Sequence, residues 1–309
     1  MKAVRIHSFG SPDVMQVDEI EAPRPKRGEV LIRVCASSVN PVDFKTRSGE
    51  FKMPGAHMPI TLGRDVSGVV EAVGPGVSGI EVGDQVFTLL DADHGGYAEF
   101  VPARADAVAP KPSSIDHAHA AAVPLAAITA WQGLFDHGHL KRGERVLIHG
   151  AAGGVGHFAV QFAKNEGAYV YATARGEDAD LLRSLGADEV IDYQNERFED
   201  RVRDVDVVLD LVAGETQKRS WRSLKKGGRL VSTLTPPSKS DAAKAGAKGD
   251  HFMASPNREQ LEEIARMIDD GEVQVIVQET MPLNEARHAH NVLEHEHVQG
   301  KLVLEVAGT

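Results

Sequence analysis

The stretch from Val146 to Arg175, VLIHGAAGGVGHFAVQFAKNEGAYVYATAR, constrains the fold of this chain more than any other. Val146-Leu147-Ile148 is a short aliphatic run of the kind that forms a buried parallel strand. It is followed by Gly150-Ala151-Ala152-Gly153-Gly154-Val155-Gly156, a turn made almost entirely of glycine and alanine. Phe158, Val160, Phe162 and Ala163 then recur at roughly helical spacing as far as Gly167, which suits a helix C-cap. Tyr169 to Thr173 reads as a second strand. The result is a β-α-β unit with glycines where strand turns into helix.

Small residues at such a turn let the backbone approach a pyrophosphate, and the helix N-terminus presents free N–H groups to it. Read as G-x-G-x-x-G, the fingerprint positions are Ala151, Gly153 and Gly156, with alanine in place of the first glycine. A tight turn that binds nothing is the plainer alternative, and the flanking strands and helix weigh against it. The end of the second strand bears on the cofactor. An NAD-binding unit places Asp or Glu about twenty residues past the glycines, to hold the ribose 2′-hydroxyl. Here that place is held by Arg175, after Thr173 and Ala174, and the first acids are Glu177 and Asp178. A guanidinium binds a 2′-phosphate in bidentate fashion where a carboxylate would repel it. NADPH is therefore expected, the alternative being that Arg175 is a solvated strand-end residue.

With 309 residues the chain is long enough for two domains, and its 42% hydrophobic and 26% charged content is that of an ordinary globular protein. A net charge of −11 argues against nucleic acid or an anionic membrane as partner. The single cysteine, Cys35, follows an apolar run and is expected to be a small buried hydrophobe. MKAVRIHSFGSP has no apolar core, and no apolar run is long enough to span a membrane, so a reduced, cytoplasmic setting is expected.

Residues 1–118 read as β-rich: Glu29 to Val34, Val69 to Val73 and Gln85 to Phe87 are short alternating runs separated by Pro and Gly turns. A compact barrel-like β domain is the simplest reading. Over residues 119–254 strands alternate with helices, which predicts a parallel sheet. Further strands are expected at Glu189–Ile191, Val205 to Leu211 and Gly228 to Leu234, with helices at Ala179–Leu185 and Gln217 to Leu224. The polar Thr235 to Asp250, containing Pro236-Pro237, reads as a loop. Residues 255–309 bring an amphipathic helix, Asn257 to Ile268, and a last strand from Lys301 that resembles those of the first domain. The histidine pairs His117/His119, His137/His139, His288/His290 and His295/His297 lack completing ligands and are expected to be solvated or at helix ends.

Taken in order, Asn40-Pro41-Val42-Asp43, Leu62-Gly63-Arg64-Asp65-Val66-Ser67-Gly68, Gly83-Asp84-Gln85-Val86 and Gly95-Gly96-Tyr97-Ala98-Glu99-Phe100 form a specific series. It continues through Ala127-Ile128-Thr129-Ala130-Trp131, the glycine turn, Leu185-Gly186-Ala187-Asp188 and Gly300-Lys301-Leu302-Val303-Leu304. By these motifs the whole chain resembles the medium-chain dehydrogenase/reductase superfamily, in particular its zinc-independent quinone oxidoreductase (zeta-crystallin-like) branch. The resemblance implies an α/β architecture: a Rossmann-type doubly wound parallel sheet at 119–254, plus a GroES-like β-barrel catalytic domain formed by 1–118 and 255–309. It also implies a homodimer that pairs the last Rossmann strands.

Alcohol dehydrogenases of this superfamily hold a catalytic zinc with Cys, His and Cys. The matching positions here are Asn40, Arg64 and Leu125, so no metal is expected. Without a metal to stabilise an alkoxide, reduction of an electron-poor acceptor is the easier chemistry. The resemblance thus implies an NADPH-dependent oxidoreductase acting on quinones or other α,β-unsaturated carbonyls. An alkenal- or enone-specific reductase and a non-catalytic NADPH-binding protein stand as alternatives.

The resemblance further assigns Ala151, Gly153, Gly154 and Val155 to the pyrophosphate, and Thr173 and Arg175 to the 2′-phosphate with Tyr193 beside them. Leu211, Val212, Thr233, Leu234, Phe252 and Met253 follow along the nicotinamide end. On the catalytic side it implies Asn40 as a donor to the carbonyl or oxyanion, with Asp43 and Thr129 nearby. Asn40 and Asp43 could instead bond turn backbone. Arg64 either stabilises an anionic product or pairs with Asp65 or Asp43. Phe44, Phe51 and Met53 are candidates for an apolar wall.

Overall fold

A computed structural model describes residues 1–52 and 57–306. The chain divides into two compact units. One comprises Met1–Leu125, Ser255–Gly271 and the chain from Val275 onward; the other comprises Ala126–Ala254 and Glu272–Gln274.

In the second unit the aliphatic runs become six parallel strands. Their order across the sheet is Glu189–Asp192, Tyr169–Ala174, Arg145–His149, Val205–Asp210, Leu224–Ser232 and Lys248–His251. Chain order therefore reverses between Arg145–His149 and Val205–Asp210, the switch point at which doubly wound sheets bind ligands. Both central strands are buried on both faces, which is why they read as unbroken hydrophobic runs.

Two expectations need correction in this unit. The stretch read as a loop, 235–250, carries the helix Lys239–Ala245 and most of the edge strand Lys248–His251. Its helix is a single capped segment: the Ser238 hydroxyl accepts from the Asp241 N–H, and Gly246, at φ +63°, closes it. So short and polar an element has no apolar periodicity to reveal it. The helix expected at 217–224 runs instead from Gly214 to Ser220, because Leu224 already opens the next strand.

In the first unit, Met15–Glu19, Lys2–Ile6 and Ile60–Thr61 form a small antiparallel sheet. A larger sheet runs Val277–Pro282, Lys301–Glu305, Glu29–Val39, Asp65–Val73, Gln85–Leu89, Val108–Pro110, with Phe100–Arg104 also paired to Glu29–Val39. Lys301–Glu305 is hydrogen-bonded antiparallel to Glu29–Val39, so the two chain ends share one sheet. Ile6, Val39, Leu62, Tyr97, Ala289, Leu302 and Leu304 pack in one core and join the same segments through side chains. The helix His117–Ala121 belongs here too, with Ala121 and the Ala122 that follows it packed on Ala36 and Val303. That packing puts the junction after Leu125 rather than at 118.

A helix that the β-rich reading passed over, Pro41–Ser48, interrupts the strands. Proline at its first position and Gly49 at φ +88° after its last are the signals that define it. Cys35 is buried. No helix among the described residues is long and apolar enough to cross a membrane.

Candidate functional site

The glycine turn of the second unit divides the work among its residues. A Cβ on Gly156 would lie 2.3 Å from the Gly150 carbonyl oxygen, so this glycine is demanded by close helix–strand packing. A Cβ on Gly153 would meet nothing nearer than 3.4 Å, so that side of the turn stays open. Ala151 is fully buried and its N–H donates to the Thr173 carbonyl at 3.1 Å, so it shapes the turn and does not line its open side. The N–H groups of Gly154 and Val155 donate to no acceptor among the described residues. They stand at the start of the helix Gly156–Glu166, where an anion is favoured.

At the end of the strand Tyr169–Ala174, the Arg175 Nε donates to the Tyr193 hydroxyl at 3.3 Å and Nη1 to Glu177 Oε1 at 3.4 Å. Both bonds are long, and the guanidinium remains open to solvent. The resemblance assigns Thr173 and Arg175 to one role, and the structure separates them. Thr173 is 3% exposed, and its hydroxyl sits 2.9 Å from Nδ1 of His149 on the neighbouring strand.

Farther along the carboxyl edge, Tyr193, Val212, Leu234 and Met253 are large apolar side chains left exposed, each just past the end of a different strand. Leu211 and Thr233 beside them are half-buried. Phe252 is turned inward and stacks on His137 at 4.3 Å between ring centroids. The loop carrying Leu211 and Val212 is held by Asp210, a residue the sequence reading did not single out. Its Oδ1 accepts from the N–H groups of Val212 and Ala213 at 3.1 and 2.8 Å, and its Oδ2 from Gln217 and Ser232. Ala213 adopts φ +66°, a conformation costly for a residue with a Cβ and maintained by those bonds. Thr129 lies in this same unit, on the helix Pro124–Trp131, and is mostly buried.

In the first unit the organising residue is Asp65, fully buried. One carboxylate oxygen accepts from the Ser38 hydroxyl at 2.6 Å and the Asn40 amide at 2.8 Å, and the other from the Leu125 N–H at 2.7 Å. The ammonium of Lys301 stands 3.8 Å away and donates to the Val39 carbonyl at 3.0 Å and to the Asn40 side-chain oxygen. Burial pushes the Lys301 ammonium below its ordinary value, opposed by the nearby Asp65 and Asp43. Two of the three positions that the resemblance matched to zinc ligands, Asn40 and Leu125, thus meet on one carboxylate. The third, Arg64, is its chain neighbour and directs Nε and Nη2 to the Leu90 carbonyl at 3.0 and 2.7 Å. Arg64 is therefore bonded to neither Asp65 nor Asp43. Asn40, 3% exposed, has its amide engaged at both ends inside the protein, unlike the open donor expected of it.

Asp43 is also buried; its Oδ2 accepts from the Asn40 N–H at 2.8 Å, at the start of the helix Pro41–Ser48, and from the Tyr97 hydroxyl at 3.4 Å. That bond matches the turn-backbone alternative for this pair. Burial pushes the Asp43 carboxyl up to about 7, against the opposing Asn40 N–H, with Asp65 adding to the rise. Tyr97 in turn meets His290 Nε2 at 3.2 Å, whose Nδ1 lies 3.3 Å from Arg47. His290 is fully buried, held down to about 3 by burial and by Arg47, so the expectation of solvated or helix-end histidines fails for it. It lies on the inner face of the amphipathic helix Ala286–His295, where burial rather than spacing decides its role. Arg47 makes a bidentate pair with Glu294, both bonds 2.8 Å. Among the described residues no group of three or more His, Cys, Asp or Glu converges as a metal site would need. Of the expected apolar wall, Phe44 and Phe51 are half-buried, and Met53 lies outside the described residues.

The strand order and the glycine turn define a dinucleotide-binding α/β fold, and comparison with known proteins narrows the class. Residues 26–113 match the family described as alcohol dehydrogenase GroES-like domain, and residues 185–304 that described as zinc-binding dehydrogenase. The chain is 32% identical to the quinone oxidoreductase of Rattus norvegicus over 323 residues, covering 98% of this chain and 97% of that protein. It is 35% identical over 319 residues to the chloroplastic NADPH-dependent alkenal/one oxidoreductase of Arabidopsis thaliana, covering 98% of this chain and 79% of that protein. Among solved structures it is similar to Escherichia coli quinone oxidoreductase complexed with NADPH, with TM-score 0.91, 30% identity and coverage of 99% and 100%. The chain belongs to the medium-chain dehydrogenase/reductase superfamily of NAD(P)-binding oxidoreductases, in its quinone oxidoreductase-like branch.

Proposed function

We propose that this chain is an NADPH-dependent reductase that passes hydride to quinones or other α,β-unsaturated carbonyl compounds. The observation that carries this reading is the open guanidinium of Arg175, steadied by Tyr193, at the strand end where an NAD site would place a carboxylate. The residues of the second unit fit the cofactor. The open side of Gly153 and the free N–H groups of Gly154 and Val155 suit the pyrophosphate, with Ala151 behind them. Arg175 and Tyr193 suit the phosphorylated ribose, and Leu211, Val212, Thr233, Leu234 and Met253 the nicotinamide end, with Phe252 packed beneath. Relatives named as quinone and NADPH-dependent alkenal/one oxidoreductases support the same reading.

When bound, NADPH supplies the hydride. The part left to this chain is to steady negative charge on the acceptor oxygen, and Arg64 is the group we assign to it. Its Nε and Nη2 grip one carbonyl, which fixes the guanidinium plane and leaves Nη1 for a ligand. An arginine does not give up its proton, so it stabilises an enolate or quinol anion, and water supplies the proton afterwards. Asn40, gripped by Lys301 and Asp65, and Asp43, bonded to the Asn40 N–H, act as positioning residues for the segment around Pro41.

The test is steady-state oxidation of NADPH and NADH with a naphthoquinone, a 2-alkenal and a saturated ketone. Turnover is expected with NADPH and one or both of the first two acceptors, and their ratio separates a quinone reductase from an alkenal-specific one. Tight NADPH binding without turnover of any acceptor would favour a non-catalytic protein. A homodimer paired along the edge strand Lys248–His251 is proposed as its assembly, to be read by sedimentation.

A further inference from the structure

One buried cluster beside the proposed cofactor site is not absorbed by that reading. His149, the last residue of the strand Arg145–His149, is fully buried between two hydroxyls, Thr173 Oγ1 at 2.9 Å from Nδ1 and Ser220 Oγ at 2.9 Å from Nε2. The Phe198 ring packs edge-on against it at 4.6 Å.

The hydrogens in this chain can be ordered from one end. Ser220 closes the helix Gly214–Ser220, and its hydroxyl donates back to the Thr216 carbonyl at 2.6 Å. A carbonyl only accepts, so the one hydroxyl hydrogen of Ser220 is committed there. Toward His149, Ser220 can then only accept, and Nε2 must carry the ring hydrogen. Burial holds the His149 imidazole down to about 4, so the ring is neutral and has one hydrogen to give. Nδ1 is thereby a lone pair, and Thr173 must donate to it. The opposite tautomer would set two acceptors face to face at Ser220, both fully buried.

We infer that His149 takes the one hydroxyl hydrogen of Thr173, so that Thr173 cannot donate to a 2′-phosphate. This rests on the dinucleotide site proposed above and alters its assignment. The resemblance gives the phosphate to Thr173 and Arg175 together, whereas the proton order leaves its recognition to Arg175 with Tyr193. A phosphate dianion offers only lone pairs, and the Thr173 hydroxyl has no hydrogen left to give it. His149 is a positioning residue that acts on its neighbour, keeping Thr173 out of phosphate recognition.

The test is long-range proton–nitrogen correlation on the full chain labelled with 15N-histidine, free and saturated with NADPH. The His149 ring is assigned by its loss in His149→Asn or, should that variant not fold, by its shift in Thr173→Ser. A pyrrole-type Nε2 and a pyridine-type Nδ1 are expected in both states; a protonated Nδ1 in either overturns the inference. As a second readout, Thr173→Val is expected to change the KM for NADPH and for NADH by the same factor within about twofold, whereas Arg175→Ala separates them by tenfold or more. A selective loss for NADPH in Thr173→Val would also overturn it. Should the wild-type chain fail to bind NADPH or to distinguish it from NADH, the proposed function falls, yet the nitrogen signals of the free protein still decide the proton order.

Discussion

Replacing Asp43 by asparagine should stabilise this protein, and more so as pH rises. The native carboxyl titrates at about 7 rather than at its ordinary 3.8, chiefly because it is buried. The folded state therefore holds a proton that the unfolded chain has already lost. Its contribution is fully present below the unfolded value and disappears as pH rises through the folded one. At 1.36 kcal/mol per unit, the gap corresponds to about 4 kcal/mol of destabilisation once the carboxyl is ionised, roughly half of it arising between about pH 5.5 and 8.5. Asparagine carries no such dependence and fits the site. Both donors, the Asn40 N–H at 2.8 Å and the Tyr97 hydroxyl at 3.4 Å, go to the same oxygen, so an amide oxygen there accepts both. The other carboxylate oxygen receives no bond from any described residue, so an amide nitrogen in its place displaces no donor. For unfolding transitions of this size, about 2 kcal/mol corresponds to roughly 4–8 °C. Calorimetry at matched ionic strength should thus show the advantage of Asp43→Asn over wild type widening by that amount between the two pH values. Parallel melting temperatures, or an advantage that shrinks at high pH, would refute the reasoning.

Other consequences are more local. Arg175→Ala should raise the KM for NADPH about ten- to a hundredfold and leave that for NADH within about threefold, read from initial rates with either cofactor. Gly153→Val should fold with a normal melting curve yet lose cofactor affinity by calorimetry, since a side chain there meets little but the open side of the turn. Gly156→Val should instead fail to fold or melt far lower, because its Cβ would press on the Gly150 carbonyl at 2.3 Å. Arg64→Met should lower kcat about a hundredfold with little change in the KM for NADPH, as expected when a charge-stabilising donor at the reacting oxygen is lost.

The dinucleotide unit was legible because its information is local. Glycine spacing, the aliphatic strands and the change from carboxylate to Arg175 lie within one short stretch, and the topology followed the β-α-β rhythm. The polar cluster of the first unit was not legible. Ser38, Asn40, Asp65, Leu125 and Lys301 come together from four separated segments, and no local periodicity records that Glu29–Val39 pairs with Lys301–Glu305. The one available hint was Asp65 itself, a carboxylate opening a strand otherwise rich in valine. Pro41–Ser48 and Lys239–Ala245 were missed for a different reason: each is only two turns long and is defined by its caps. His149 and His290 escaped because a lone histidine is informative only once its burial and both ring partners are known.

The central claim is direct hydride delivery from NADPH to a conjugated acceptor. It is tested by incubating the purified chain with NADPH deuterated stereospecifically at C4 of the nicotinamide and an acyclic enone, then locating the label by mass spectrometry and NMR. Deuterium carried by the β-carbon of the saturated ketone, from one face of the nicotinamide only, is the result expected. NADPH oxidised with no label on that carbon, or no oxidation with either an enone or a quinone present, would contradict the account.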